Sequence, residues 1–476
     1  MGLLTMKWGS IRNYFLSLMG LNPIERKKTG LLAICFFLVF ATYTVVRELK
    51  DFVFISIVGY DYLPLAKIVM VVALIPMVFL YSRLVDLLRR DQLLSVFTGI
   101  YAVGWLISAY FLGHPSIGLS NTDTGKFRLF GWIFYLFMEG SQPFLIGLLW
   151  SFLNTVTKPE DVKGSYVFLT ASSKVGGALA AGSAWLFLNA QQGDQAIFSG
   201  VGSFQLLLVV SAVLLAFVPL VISYLMHKIP HSHLHGYEAA YQFEKAHEEE
   251  HKRGGLWETV KGMFSGLYLL IRYPYALGIF GMVFFWEVVN VTFNYLRLGV
   301  GKDSSHSILE FGAFLYGQIF FMHVVGFVIV LFGTGTLVRW LGERKSLIIV
   351  PLATGGVIAA YLISGGLMSV GVAYIIMRAI NYAFAYPLRE SLYIPATKAI
   401  KFKTKSWIDG FGAKLAKSSG SYYNILIQQV SRYAVFNIHL LFFTGIICVW
   451  AVVANLLGRR LEKAIKNNEV IGTEEA

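Results

Sequence analysis

"IDGFGAKLAKSSGSYYNILI" (Ile408–Ile427) has the length of a membrane-crossing helix, yet it carries Lys414 and Lys417. A bilayer core about 30 Å thick takes roughly 20 helical residues. An ammonium group placed there is costly unless it faces a polar cavity or meets an acid. In a soluble protein the same two lysines would need no explanation, so the rest of the chain decides how the stretch reads.

The chain decides for a membrane. Of its 476 residues 56% are hydrophobic and only 14% charged, and the mean hydropathy is +0.63. Apolar windows of bilayer length recur near 29–49, 63–83, 93–113, 129–154, 165–189 and 204–227, and again near 275–297, 311–337, 346–364, 366–387, 408–430 and 437–457. The expectation is an all-α membrane protein of twelve transmembrane helices in two six-helix halves, a major-facilitator-like layout. The implied organisation is an amphipathic lead-in over 1–28, one half over 29–227, a polar linker over 228–270, a second half over 271–457 and a tail over 458–476.

Basic residues set the orientation. Arg26, Lys27 and Lys28 precede the first window, Arg83, Arg89 and Arg90 follow the second, and Lys158 and Lys163 follow the fourth. Arg344 and Lys345, then Lys398 to Lys405, then Arg459, Arg460 and Lys463 continue the series. With twelve spans all of these fall on one side, which the positive-inside rule makes cytoplasmic, together with both termini and the linker. The formal charge of +13 therefore belongs to loops, and no nucleic-acid partner is expected. The two cysteines, Cys35 and Cys448, lie in apolar windows and make neither a disulfide framework nor a four-ligand zinc site.

An internal repeat agrees with two halves. "ASSKVGGALAAGS" (Ala171–Ser183) occupies the fifth window and "AKLAKSSGSYYN" (Ala413–Asn424) the eleventh; each sets a lysine beside serines and glycines. Corresponding small-residue, broken spans point to a substrate site between halves.

Further charges lie inside the windows. The first ends "VVRELKDF", with Arg47, Glu48, Lys50 and Asp51, for which snorkelling at a helix end is the competing reading. Lys67 follows Pro64 at the start of the second. Glu139 lies deep in the fourth, in "YLFMEGSQPFLIG", where Gly140 and Pro143 are expected to break the helix. Glu287 leads a polar stripe with Asn290, Asn294 and Arg297 in the seventh, and Arg378, Arg389 and Glu390 mark the tenth. Lys414 and Lys417 are three residues apart, and Ser418 and Ser421 continue their face. Lysine is a compact charge with three donors and suits phosphate oxygens. The alternative is internal pairing with Glu139 or Glu287. The candidate substrate-binding residues are thus Lys50, Lys67, Glu139, Glu287, Asn290, Lys414 and Lys417.

"RELKD" (Arg47–Asp51), "PLAK" (Pro64–Lys67), "MEGS" (Met138–Ser141), "FLNTVTKPEDVKGSYVFL" (Phe152–Leu169) and above all "PLRESLYIPATKAIKFKTKSWIDGFGAKLAKSSGS" (Pro387–Ser421) resemble the nucleotide transporters of obligate intracellular bacteria and plastids, the ATP/ADP translocase family. The resemblance spans both halves. It implies a secondary carrier for nucleotides, with ATP/ADP exchange the leading reading and a proton-coupled nucleotide or organic-anion importer the alternative. It places Lys50, Asp51, Lys67, Glu139, Glu287 and Lys417 at family positions implicated in nucleotide binding. No catalytic residue, metal or cofactor is expected. The expected partners are a nucleotide and the lipid bilayer, the expected state a monomer, and the expected location a bacterial inner membrane.

Two decoys remain. "HEEEH" (His247–His251) fits a zinc-protease pattern, and "HSHLH" (His231–His235) could hold a metal. Both lie in the charged linker, and a membrane metalloenzyme is the remote alternative. Neither "SSKVGG" nor "AKSSGS" has the spacing of an ATPase phosphate loop.

Overall fold

The computed structural model describes residues 22–157, 162–193, 196–230, 233–234, 266–332, 341–397, 400 and 404–472. The lead-in through residue 21, the HEEEH segment and most of the linker lie outside the described residues.

The described chain is almost wholly helical. Helix α1 is Pro23–Ile57, α2 Leu63–Leu87, α3 Arg90–Leu112, α4 Leu129–Val156, α5 Val162–Ala190 and α6 Gly200–Lys228. Then α7 is Pro274–Ser304, α8 Ile308–Phe332 and α9 Glu343–Ser364. Helix α10, Gly366–Ile380, runs through a π-helical segment, Asn381–Ala385, into Tyr386–Ser391. Helix α11, Ala413–Ile427, is entered through Lys405–Trp407 and a second π-helical segment, Ile408–Gly412. Helix α12 is Arg432–Lys466.

Among the described residues nine helices are long and apolar enough to cross a membrane: α1 to α4, α6 to α9, and α12. The other three fall short for physical reasons. Helices α5 and α11 spend much of their surface on serine, glycine, alanine and lysine, and α10 is interrupted by its π segment. Helix starts follow local chemistry. Asn22 caps α1 by accepting from the Ile24 N–H at 3.2 Å, with Pro23 in the first turn. Ser199 caps α6 by accepting from Gly202 at 3.0 Å.

One expected break is absent. Helix α4 runs without interruption through Gly140 and Pro143. Proline removes a single backbone donor, and a helix buried in protein tolerates this where neighbours and side-chain hydroxyls take over. Ser141 turns back to donate to the Met138 carbonyl at 2.6 Å, one residue before the Glu139 carbonyl that Pro143 leaves without its helical donor.

The chain forms two compact units. The first comprises the described residues within Met1–Ala66, Val72–Glu249 and Ser305–His323. The second comprises those within Lys67–Val71, Glu250–Ser304 and Val324–Ala476. Inside the first, α1 packs on α4, α5 and α6, and α3 packs on α4 and α6. Inside the second, α7 packs on α10, α11 and α12, and α9 packs on α10 and α12. The pairings match with an offset of six helices.

The small-residue segments occupy equivalent places in this pattern. A Cβ on Gly176 of α5 would come within 2.5 Å of the Phe37 carbonyl oxygen of α1. A Cβ on Gly420 of α11 would come within 3.0 Å of the Val288 carbonyl oxygen of α7. Glycine at these points lets two helix backbones touch, which is how helices associate in lipid without a hydrophobic driving force. Ser172 adds a hydrogen bond to the Ala33 carbonyl at 2.8 Å.

The first unit's core is aromatic: Phe52 stacks on Phe204 at 4.3 Å between ring centroids and meets Phe311 at 5.6 Å. At the start of α1, buried Lys28 meets Glu25 at 2.6 Å and donates to the carbonyls of Val156 and His233. His233, the central histidine of HSHLH, also meets Glu25 at 3.0 Å. In the second unit the chain after α12 turns back. Ile471 donates to the Pro395 carbonyl at 2.7 Å and accepts from Thr397 at 2.9 Å, and Arg460 grips Glu469 with both terminal nitrogens. That hydrogen bonding holds the Glu469 carboxyl below its ordinary value.

The glycine contacts yield a stability comparison. Gly176→Ala forces α5 away from α1 and is expected to cost about 1–3 kcal/mol. Gly147→Ala, where an added Cβ meets nothing within 4 Å, is expected to be neutral or to gain up to about 1 kcal/mol of helix propensity. Thermal unfolding of the two variants in one detergent checks the ordering.

Candidate functional site

In the first unit the register of α1 against α4 brings Lys50 to Glu139. Lys50 Nζ lies 2.6 Å from Asp51 Oδ1 and 3.3 Å from Glu139 Oε2. It also sits 5.0 Å from the centroid of the Tyr135 ring, one turn before Glu139 on α4. The side chains are 8%, 10% and 16% exposed for Lys50, Asp51 and Glu139. These charges are paired inside the protein, so the snorkelling reading of this helix end does not hold for Lys50. One turn earlier Arg47 Nε lies 3.5 Å from Glu48 Oε1, with Glu48 buried. Tyr316 of α8 donates to the Val45 carbonyl of α1 at 2.8 Å.

In the second unit α7 and α11 lie side by side and run the same way. Glu287 faces Lys417, Val288 faces Gly420, and the Tyr295 hydroxyl accepts from Gln428 at 2.6 Å. Lys417 Nζ lies 4.0 Å from Glu287 Oε2, and Asn290 donates to the same oxygen at 3.3 Å. This pair is looser and more exposed than the first: Lys417 is 30% exposed and Glu287 18%.

The polar stripe of α7 continues in the expected order. Asn294 accepts from Arg297 at 3.0 Å, and fully buried Arg297 lies 3.9 Å from the centroid of Tyr374 on α10. Arg378 approaches the same ring at 5.2 Å and donates to the Tyr382 hydroxyl at 2.7 Å. Aromatic faces thus share the charge of two arginines. At the end of α10, Glu390 accepts from Lys405 at 2.5 Å.

The structure therefore joins Lys50 with Glu139, and Glu287 with Asn290 and Lys417. Lys67 is half-buried near the start of α2, in the short segment grouped with the second unit. Lys414 is half-buried one turn before Lys417.

Three participants were not among the expected residues. Tyr135 shows itself only by its i−4 spacing from Glu139. Asn424 of α11 is 1% exposed, and both of its amide atoms lack a hydrogen-bond partner among the described residues. Thr292 of α7 is equally buried, with its hydroxyl in the same condition. The α7–α11 register sets Asn424 opposite Thr292, and its sequence signal is the seven-residue step from Lys417 that keeps one helix face.

The arrangement is two sets of lysine–carboxylate pairs in apolar helices, and its chemistry is reversible ion pairing. An anion with several oxygens can replace a carboxylate at each lysine. Solved structures of several transporters share this fold. The D-xylose-proton symporter aligns with a TM-score of 0.61 at 11% identity, over 91% of this chain and 96% of that one. A bacterial homologue of the human lysosomal transporter Spinster, inward-facing and unoccupied, gives 0.56 at 13%, over 93% and 98%. The nucleoside transporter NupG gives 0.52 at 11%, over 92% and 99%. The fold is that of a major-facilitator-like membrane transporter. Residues 127–461 match the model of the TLC ATP/ADP transporter family, and the chain belongs to that family.

Removing Lys50 leaves two carboxylates facing each other in a buried site. Lys50→Gln is expected to destabilise the protein by about 3–5 kcal/mol. Adding Glu139→Gln is expected to recover at least about 1 kcal/mol of that loss, because the partners are coupled. Unfolding of wild type, both single variants and the double variant closes the cycle.

Proposed function

We propose that the protein is a secondary transporter that exchanges ATP for ADP across a membrane by alternating access. Family membership supports the nucleotide. The observation that carries the mechanism is the loose pair of Lys417 with Glu287 at 4.0 Å, part-exposed inside an apolar helix pair. A loosely held lysine exchanges its carboxylate for a phosphate oxygen at a smaller cost than a tightly held one.

In this reading Lys50, Lys67, Lys414 and Lys417 hold the polyphosphate. Glu139 and Glu287 pair with Lys50 and Lys417 when the nucleotide leaves, and Asn290 keeps Glu287 aimed at Lys417. Exchange further requires that the empty carrier reorient more slowly than the loaded one. The helices α5, α10 and α11 complete twelve spans, arranged as halves over 29–227 and 271–457. Both termini and the linker are cytoplasmic, the membrane is a bacterial inner membrane, and the carrier acts as a monomer without nucleic acid. The basic residues that alternate with the spans support the orientation.

The decisive measurement is uptake of labelled ATP into liposomes with and without internal ADP. Uptake is expected only with internal ADP. Lys417→Gln is expected to fold normally and to lower exchange by about ten- to hundredfold, the loss of one charge-assisted hydrogen bond or somewhat more. Uptake driven by a proton gradient without internal nucleotide would overturn exchange. Wild-type exchange by Lys417→Gln would overturn the site.

A further inference from the structure

The sequence after α12, "NNEVIG" (Asn467–Gly472), turns the chain back on itself. Asn468 takes φ +51°, a left-handed conformation that asparagine tolerates, and the Glu469 N–H donates to the Ala464 carbonyl at 2.9 Å. Val470 and Ile471 then alternate as strand residues do, the first exposed and the second buried. Ile471 makes a single parallel bridge to Ala396 through the Pro395 carbonyl and the Thr397 N–H. Gly472 closes the contact. Its φ of +95° suits glycine, and a Cβ there would come within 2.5 Å of Ile400 and 2.8 Å of the Thr397 hydroxyl oxygen. Behind the bridge Arg460 of α12 grips Glu469.

What this segment holds is the connection between α10 and α11. Ile400, in that connection, is fully buried. Two other ties reach its ends: Tyr275 of α7 donates to the Leu392 carbonyl at 2.7 Å, and Lys405 meets Glu390 at 2.5 Å. The connection lies between the π-helical segments Asn381–Ala385 and Ile408–Gly412. Winding as an α-helix is the commoner and more stable form, so a π turn persists where the chain around it is fixed. The hold of the tail on the connection is local: the backbone bridge, the buried Ile471 side chain and the part-exposed Arg460–Glu469 pair. Glu469–Gly472 also border a cavity of about 900 Å³ between α7 and α12, so one side of the segment is not packed. A contact of this size opens at lower free energy than the helices it joins.

We propose that Glu469–Gly472 is a strap on the α10–α11 connection: seated, it preserves both π-helical segments, and its release lets them rewind and speeds the transport cycle. The link to transport rests on the function proposed above; the restraint on the π-helical segments does not.

Hydrogen–deuterium exchange in detergent tests the restraint. The full-length protein is compared with a chain ended after Asn468, which lacks the strap, and one ended after Gly472, which keeps it. Loss of the strap is expected to speed amide exchange in peptides covering Asn381–Ala385 and Ile408–Gly412 about tenfold, as fits one or two net hydrogen bonds, and to leave α7 as it was. The chain ended after Gly472 is expected to match the full-length protein. Gly472→Val, which sets a β-branched side chain at φ +95° against Ile400, and Arg460→Gln are expected to give part of the effect. In liposomes the strapless chain is expected to exchange nucleotide faster than wild type, by up to about tenfold. Unchanged amide exchange in the π-helical segments would overturn the restraint, whether or not the protein carries ATP. Faster amide exchange with an unchanged or slower transport rate would overturn the control of transport. Arg460→Gln alters one part-exposed ion pair and retains the fold, so it decides the matter even if the shortened chain does not fold.

Discussion

An ammonium group buried in an apolar helix pair must be answered by negative charge, and the first unit is organised around that demand. Lys50 has two carboxylates and an aromatic face within reach, contributed by α1 and α4. The packing of those helices has little freedom, because sliding either one would strand a charge in a low dielectric. Aromatic stacking of Phe52 with Phe204 and Phe311 fixes the same stretch of α1 from its other faces. In the second unit Glu287 and Lys417 meet less closely and with more exposure. One unit thus holds its charge pair firmly and the other holds it lightly.

What allows the second pair to form is the backbone contact at Gly420. A larger residue would press α11 off α7 by a few tenths of an ångström and loosen the register that sets Lys417 beside Glu287. The matching contact at Gly176 presses α5 to α1, and the five helix pairings of one unit recur in the other. The repeat is faint as letters and plain as packing, because close approach constrains size at a few positions and leaves the others free. That is why glycine and serine persist in both segments while the lysines and acids differ in number and place.

The nine apolar helices were legible because hydropathy over a bilayer-length window needs no knowledge of neighbours. The polar stripe of α7 was legible for a similar reason, since Glu287, Asn290, Asn294 and Arg297 follow one helix period. The partner of Lys50 was not, because pairing α1 with α4 depends on a register that neither helix states alone. The local rule for proline misled at Pro143: it describes a helix in water, whereas α4 is held by packing on both sides of the missing donor. Tyr135, Thr292 and Asn424 escaped notice because a tyrosine, threonine or asparagine in a span carries no charge to flag it. Only the facing helix shows what they lie against. The return of Glu469–Gly472 onto the chain near Pro395 was equally invisible, since its backbone pairing is a single isolated bridge between Ala396 and Ile471.

The two π-helical segments have a mechanical meaning. A π-turn holds one more residue than an α-turn. Relaxing it to α geometry must either pass the surplus residue along the chain or rotate the following helix by about 100°. Ile408–Gly412 stands directly before Lys414 and Lys417, and Asn381–Ala385 stands directly before Arg389 and Glu390. The loop joining α10 to α11 is therefore flanked on both sides by a helix with slack in its winding. Because Gly420 and Gln428 seat α11 against α7, slack released at Ile408–Gly412 is taken up on its N-terminal side, by Lys405–Trp407 and the connection to α10, while Lys414 and Lys417 keep their place.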